Sequence, residues 1–228
     1  MIHIELAEIP IQINNRFSLA ESFCRGYETE KAPVFSVCVT PEELEQERTM
    51  QTEEFPEDYL ETVCMYRSIA FRVLCHQVFL LHASVIEVDG HGYAFLAPSG
   101  VGKSTQTQMW LSHFGSRARV INGDKPLVRM CKTDQGVAFR AYGTPWSGKE
   151  GMNCNASVPL KALYLLERGT EATCRRASQE ESIDRIFRQL LLPNELADMD
   201  RLLSMVDTLL EVVPCYILRC TLEELQSN

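Results

Sequence analysis

The stretch Ala97-Pro98-Ser99-Gly100-Val101-Gly102-Lys103-Ser104-Thr105, entered from Tyr93-Ala94-Phe95-Leu96, organises the reading of the whole chain. It matches G-x-x-x-x-G-K-[ST] with Ala97 in place of the first glycine, a position at the entry of the loop and not at a phosphate contact. The apolar run ending at Leu96 reads as a strand. After Gly102, Met109, Trp110 and Phe114 fall at helical steps and are expected on the apolar side of a helix. Gly100 and Gly102 let the backbone curl so that successive N–H groups converge, and the helix start adds its positive dipole end. Such a nest takes phosphate oxygens, so Ser99, Gly100, Val101, Gly102, Lys103, Ser104 and Thr105 are the expected nucleotide-binding residues. Lys103 is placed to reach the β- and γ-phosphates, Ser104 to coordinate Mg²⁺ and Thr105 to assist at the α-phosphate. ATP and Mg²⁺ are the cofactors this pattern implies.

Outward from the loop, strands and helices alternate. Upstream, Pro56-Glu57-Asp58 opens an amphipathic helix running to about Gln77. Leu80 to Val88 and Tyr93 to Leu96 then read as two strands joined around Asp89-Gly90-His91-Gly92. Downstream, Val120-Ile121, Leu127-Val128, Val137 to Tyr142 and Leu160 to Leu166 read as strands. Ser178 with Glu181 forms a capping-box pattern before Ile183, Ile186, Phe187, Leu190 and Leu191, a helix that Pro193 should end. Leu196, Met199, Leu203, Val206 and Leu210 mark another helix, and Tyr216 to Cys220 a late strand. The fold class expected is α/β: a P-loop-containing mixed sheet flanked by helices. Residues 1–54 should form a small β-rich N-terminal lobe, from runs such as Ile9-Pro10-Ile11-Gln12-Ile13, plus an acidic connector over Pro41 to Glu54. Residues 55–228 should form the core with C-terminal helices.

Composition bounds the partners. The 228 residues are 45% hydrophobic, enough for a substantial core, and 22 basic against 31 acidic residues give a net charge of −9 with no basic stripe. Nucleic acid is thereby disfavoured. Glu5 and Glu8 interrupt any signal-peptide pattern, no apolar run reaches membrane-spanning length, and nine scattered cysteines fit reduced thiols. A cytoplasmic location without membrane attachment is expected; composition is compatible with a homo-oligomer but does not set one.

Three further places carry chemistry. Arg119-Val120-Ile121-Asn122-Gly123-Asp124 is an apolar strand ending in an acid, the arrangement that brings a carboxylate to a nucleotide-bound metal, so Asp124 joins Ser104 as expected metal ligand. His82, at the end of the Leu80-Leu81 strand, is either a hydrogen-bonded core residue or a member of the phosphate site. Gly143-Thr144-Pro145-Trp146-Ser147-Gly148-Lys149-Glu150-Gly151 is too structured for a passive spacer, and Lys149 is placed to stabilise transferring phosphoryl oxygens.

His82, the hairpin, the loop Pro98 to Ser104 and Asp124 together resemble the catalytic core of HPr kinase/phosphorylase, itself related to ATP-dependent phosphoenolpyruvate carboxykinase. The resemblance spans roughly residues 78–168, and the chain as a whole is similar to the smaller HPr-kinase-like proteins, some associated with peptide modification. It implies phosphate binding at Ser99 to Ser104, metal contact by Ser104 and Asp124, an active-site place for His82, and a serine acceptor in a peptide or small protein. At Asp124-Lys125 this chain has one acid where that family has two aspartates. Three alternatives stay open: Asp124 is both metal ligand and general base, His82 supplies the base, or the chain binds nucleotide without efficient chemistry. The expected function is ATP-dependent phosphoryl transfer to a hydroxyl, with a nucleotide-dependent binding module as the competing reading; carboxykinase chemistry lacks its set of basic residues.

Overall fold

The computed structural model describes residues 1–51 and 53–221. The N-terminal hairpin pairs β1 (Ile2–Leu6) with β2 (Ile9–Asn14) antiparallel, and β3 (Phe35–Cys38) adds parallel to β2, giving the order β1-β2-β3. Alternation decides which face is covered: Ile9, Ile11 and Ile13 are buried, while Pro10, Gln12 and Asn14 are half-buried. After the short α1 (Leu19–Phe23) and β3, the chain enters α2 (Pro41–Met50), where an acidic connector was expected. Thr40 accepts a hydrogen bond from the Glu43 N–H at 3.2 Å, the Thr40 N–H donates to Glu43 Oε2 at 2.7 Å, and Pro41 opens the first turn. These caps hold a helix whose inner face is only Leu44 and Glu47, the latter paired with Arg67 at 2.9 Å. Helix α3 (Glu57–Arg72) runs into a 3-10 turn at Val73–His76, which Gln77 ends with a left-handed φ of 61°. Its buried Glu61 accepts hydrogen bonds from the backbone N–H of Arg16 and Phe17, tying the N-terminal sheet down.

The second sheet contains nine strands among the described residues: β4 (Val78–Leu80), β5 (Ser84–Val88), β6 (His91–Leu96), β7 (Ala118–Asn122), β8 (Leu127–Thr133), β9 (Gly136–Tyr142), β10 (Ser157–Gly169), β11 (Thr173–Arg176) and β12 (Cys215–Thr221). Its main path is β4-β8-β9-β10-β6-β5-β7, and the long β10 also pairs with β12, which carries β11. β10 is parallel to β6 and to β12, and the other pairings are antiparallel, so the sheet is mixed. The single strand expected from Leu80 to Val88 is in fact two. β4 pairs with β8 and β5 with β6 and β7, and His82 lies in the break between them.

Helix α4 (Lys103–Phe114) covers one face, against Ile86, Phe95, Leu166 and Cys220, with Trp110, Leu111 and Phe114 packed there. Helices α5 (Gln179–Phe187) and α6 (Leu196–Val212) cover the other, against Ala94, Leu96, Leu163, Leu165 and Ile217. The Ser178–Glu181 capping box forms as the spacing predicts, but α5 stops at Phe187, well before Pro193. The buried stripes are rotated from those expected. Ser182 and Ile186 face inward on α5 while Ile183 and Phe187 are exposed; on α6 Leu202, Met205, Val206 and Leu209 are buried while Leu196 is 82% exposed. Helix α6 is apolar around more than one face, so spacing alone offered two stripes there and the sheet selects Leu202, Met205, Val206 and Leu209, whereas α5 has a single apolar stripe of which Ile186 alone is buried. The N-terminal sheet and α3 share one cluster with Leu127 and Tyr142 of the second sheet and with Trp146 of the loop after β9, and Tyr142 Oη donates to Glu8 at 2.8 Å. No described helix is long and apolar enough to cross a membrane.

Candidate functional site

Adjacent parallel strands β6 and β10 send their chains to opposite faces, β6 into α4 and β10 toward α5 and α6. In sheets of this kind ligands bind outside the carboxyl ends of parallel strands where the connections diverge, and the Ala97–Thr105 loop leaves the carboxyl end of β6. Gly100 has φ 78° and Gly102 φ 127° with ψ 20°, conformations that a Cβ would disfavour, and Gly102 caps α4. The Gln106 N–H reaches the Gly102 carbonyl at 3.0 Å, starting the helix at Lys103. Below the loop, Thr107 Oγ1 lies 2.7 Å from Ser84 Oγ and donates to the Lys103 carbonyl at 3.0 Å, which fastens α4 to β5. Ser99 and Gly100 are exposed; Val101, Ser104 and Thr105 are half-buried.

The Lys103 side chain is buried and folds back to donate to the Ala97 carbonyl at 2.8 Å. Burial pushes its pKa down, Lys125 adds to that, and Asp124 and Glu150 oppose it. An ammonium so desolvated gains by meeting an anion.

Asp124 follows β7 and points between the His82 imidazole and the Lys125 ammonium. His82 Nε2 is 2.9 Å from its Oδ1 and Lys125 Nζ 3.1 Å from its Oδ2. Burial alone would raise its pKa, but the hydrogen bond from His82 and the charge of Lys125 outweigh that and hold it down at about 2. Backbone bonds fix the pair: the Ala83 N–H donates to the Asp124 carbonyl at 3.1 Å and the His82 N–H to the Gln189 carbonyl at 2.8 Å. The structure therefore brings together Lys103, Asp124 and His82 of the residues singled out from sequence.

Asn122 organises this corner and was passed over as a strand residue. It is fully buried; its Oδ1 accepts from the N–H of Asp124 at 2.9 Å and of Lys125 at 2.7 Å, while its Nδ2 donates to the Thr144 carbonyl, Thr144 Oγ1 and the Trp146 carbonyl. One amide thus sets both the Asp124 turn and the loop at residues 143–151. Gly143 is required there, since a Cβ would lie 1.9 Å from the Cys154 carbonyl oxygen. Trp146 packs against Tyr66 of α3, and Ser147 is buried. Lys149, expected at the transferring phosphoryl group, is instead exposed and makes no hydrogen bond or ion pair among the described residues. The neighbouring Glu150 is the residue turned toward Asp124 and Lys103. Arg168, at the carboxyl end of β10, donates to the Gly100 carbonyl and was also missed. Long sequence separation hid these partners; only Asn122, in the same run as Asp124, carried a local signal.

Ser104 and Asp124 offer hydroxyl and carboxylate oxygens, hard donors of the kind Mg²⁺ takes beside nucleotide phosphates and water. No group of three His, Cys, Asp or Glu side chains converges among the described residues, so an ion such as Zn²⁺ has no cage of its own there. The donor set fits a cation that arrives with phosphates.

Comparison with curated proteins gives no match. The family model that does match is described as SynChlorMet cassette protein ScmC, over residues 51–225. This corrects the resemblance to HPr kinase/phosphorylase and phosphoenolpyruvate carboxykinase drawn from the sequence. A glycine-rich loop at a helix start followed by an acid at a strand end is a short local pattern that unrelated families can share, and it does not fix ancestry. The match takes in most of the chain, including the loop, Asp124 and both C-terminal helices, and the chain belongs to the family of SynChlorMet cassette protein ScmC.

Proposed function

We propose that this protein binds ATP with Mg²⁺ and transfers the γ-phosphoryl group to a hydroxyl, a serine of a peptide or small protein being the acceptor class to try first. The observation that carries this is the joint placement of a buried Lys103 in a glycine-bent loop at a helix start and a hydrogen-bonded His82–Asp124 pair beside it. A desolvated ammonium and the backbone N–H groups of the loop suit terminal phosphates, while a carboxylate held between His82 and Lys125 suits an incoming hydroxyl. Ser104 would hold Mg²⁺ arriving with the nucleotide, and the ion would supply neutralisation of the charge shared by the terminal phosphates.

In the transfer, the acceptor oxygen forms a bond to the γ-phosphorus as the bond from that phosphorus to the bridging oxygen breaks, and ADP leaves with the electron pair. The acceptor proton passes to Asp124, with His82 keeping the carboxylate oriented. A carboxyl held near pKa 2 is a weak base, so the proton moves late and positioning contributes more than basicity. Lys149 does not enter this scheme from its observed position.

The test is intact-mass measurement of candidate peptides after incubation with protein and MgATP. A gain of one phosphate that Lys103→Ala and Asp124→Asn abolish is expected; nucleotide binding without any phosphorylated acceptor would replace the enzyme reading with a nucleotide-dependent binding module. That second reading draws on one observation: both oxygens of Asp124 are already engaged.

A further inference from the structure

The two engaged oxygens of Asp124 pose a difficulty for a cation site that depends on that residue as its one carboxylate. Its Oδ1 meets His82 and its Oδ2 meets Lys125, so a cation at Asp124 competes with both. Glu150 is in the opposite condition. Its carboxylate makes no hydrogen bond or ion pair among the described residues, and it lies close by. The point where a Cβ on Gly148 would stand is 3.1 Å from Asp124 Cβ, 3.5 Å from Asp124 Cγ and 3.6 Å from Glu150 Oε2, so the two carboxylates border the same point of the loop. Both also act on the Lys103 ammonium.

The loop is built to hold Glu150 there. The Gly151 N–H closes a turn onto the Gly148 carbonyl at 3.2 Å, with Gly148 at φ 79° and Gly151 at φ 63°. Past the turn, the Gly123 N–H donates to the Met152 carbonyl at 2.9 Å and Asn153 Nδ2 to Ser147 Oγ at 2.9 Å. The base of the loop is thus pinned to the backbone beside Asp124, and its tip, Lys149 and Glu150, is exposed.

We propose that Glu150 is the second carboxylate of this site, a ligand for the divalent cation that accompanies the nucleotide, leaving Asp124 to His82 and the acceptor. The inference rests on the nucleotide reading of the loop. Hard divalent cations take several oxygen donors and gain affinity with each added carboxylate charge. The cation then has Ser104 and Glu150 from the protein, with Asp124 retained by its contacts to His82 and Lys125.

The experiment is a Mn²⁺ titration followed by electron paramagnetic resonance on wild type, Glu150→Gln, Glu150→Asp and Lys149→Ala, each saturated with ATP, alongside metal-free ATP binding by calorimetry. Glu150→Gln should weaken Mn²⁺ by about tenfold with metal-free ATP binding unchanged, Glu150→Asp should recover part of the loss, and Lys149→Ala should leave Mn²⁺ affinity as in wild type. Mn²⁺ affinity unaltered in Glu150→Gln overturns the proposal. So does metal-free ATP binding that tightens with no change in Mn²⁺, which would make Glu150 only a repulsive neighbour of the phosphates. Wild type that binds no ATP at all overturns the nucleotide reading and this proposal with it, an outcome distinct from the other two. Glu150 is exposed, so the thermal midpoint should not move in any of these variants.

Discussion

Replacing Asn122 with alanine removes the one side chain that serves two loops at once. In the folded protein the N–H groups of Asp124 and Lys125 lose the acceptor that holds them at 2.9 and 2.7 Å, and the Thr144 and Trp146 carbonyls lose a donor. Asn122 is fully buried, so water does not replace these partners without the loops opening. Each orphaned buried group costs about 1–3 kcal/mol, and some relaxation is inevitable, so a total near 4 kcal/mol is expected. For a chain of this length that corresponds to a fall of roughly 10 °C in thermal midpoint. Functionally the loss should exceed the stability effect, because Asp124 loses its fixed turn: at a temperature where the variant remains folded, phosphoryl transfer should fall by about a hundredfold or more, the scale on which misplaced catalytic groups act. Thermal unfolding followed by circular dichroism, with transfer measured below the transition, checks both. A midpoint within 2 °C of wild type, about the resolution of half a kcal/mol, would refute the assignment of Asn122 as the shared anchor.

Three further outcomes follow from the same geometry. Asp124 has a depressed folded-state pKa, about 2 against about 4 when unfolded, so its stabilising contribution is present above pH 4 and lost as pH falls toward 2; urea unfolding at stepped pH should show a shallower decline over that window in Asp124→Asn, and equal slopes would contradict the His82 and Lys125 contacts. Thr40→Ala should cost about 1 kcal/mol by removing the cap of α2, with nucleotide binding unchanged, as chemical denaturation beside calorimetry would show. Gly143→Ala, which drives a methyl into the Cys154 and Ile121 carbonyls, should destabilise by more than about 3 kcal/mol and yield little folded protein; normal expression and midpoint would mean the loop lies elsewhere.

What could be read along the chain were features set by neighbours in sequence. The loop from Ala97 to Thr105 declares itself because a nest needs glycines and a helix start within a few residues, and the Ser178 cap because its two partners are three apart. Thr40 and Glu43 carried the same capping signal, yet the six glutamates of residues 41–54 drew attention to solvation, and the helix there was passed over. The buried stripe of α6 shows the limit of periodicity in a helix with apolar residues on several sides, where the sheet decides which face is covered, and on α5 Ile183 and Phe187 stay exposed although they lie on its one apolar stripe. The site divides in the same way. Lys103 and Asp124 each follow a local pattern, but the Asn122 bond to Thr144 spans 22 residues and the Arg168 bond to Gly100 spans 68, and no local spacing encodes either. The choice between Lys149 and Glu150 turns on which way a single loop tip faces, a property of its tethers to Gly123 and Ser147 and not of composition.

The central claim is that the Ala97–Thr105 loop holds the phosphates of a nucleotide, and isothermal titration of wild type and Lys103→Ala with MgATP tests it most directly. Loss of one charge-assisted contact of about 2–3 kcal/mol predicts saturable binding to wild type that weakens by about thirtyfold or more in Lys103→Ala, titrated at a temperature where both proteins are folded. Equal affinity in the two proteins, or no heat of binding from folded wild type, would contradict it.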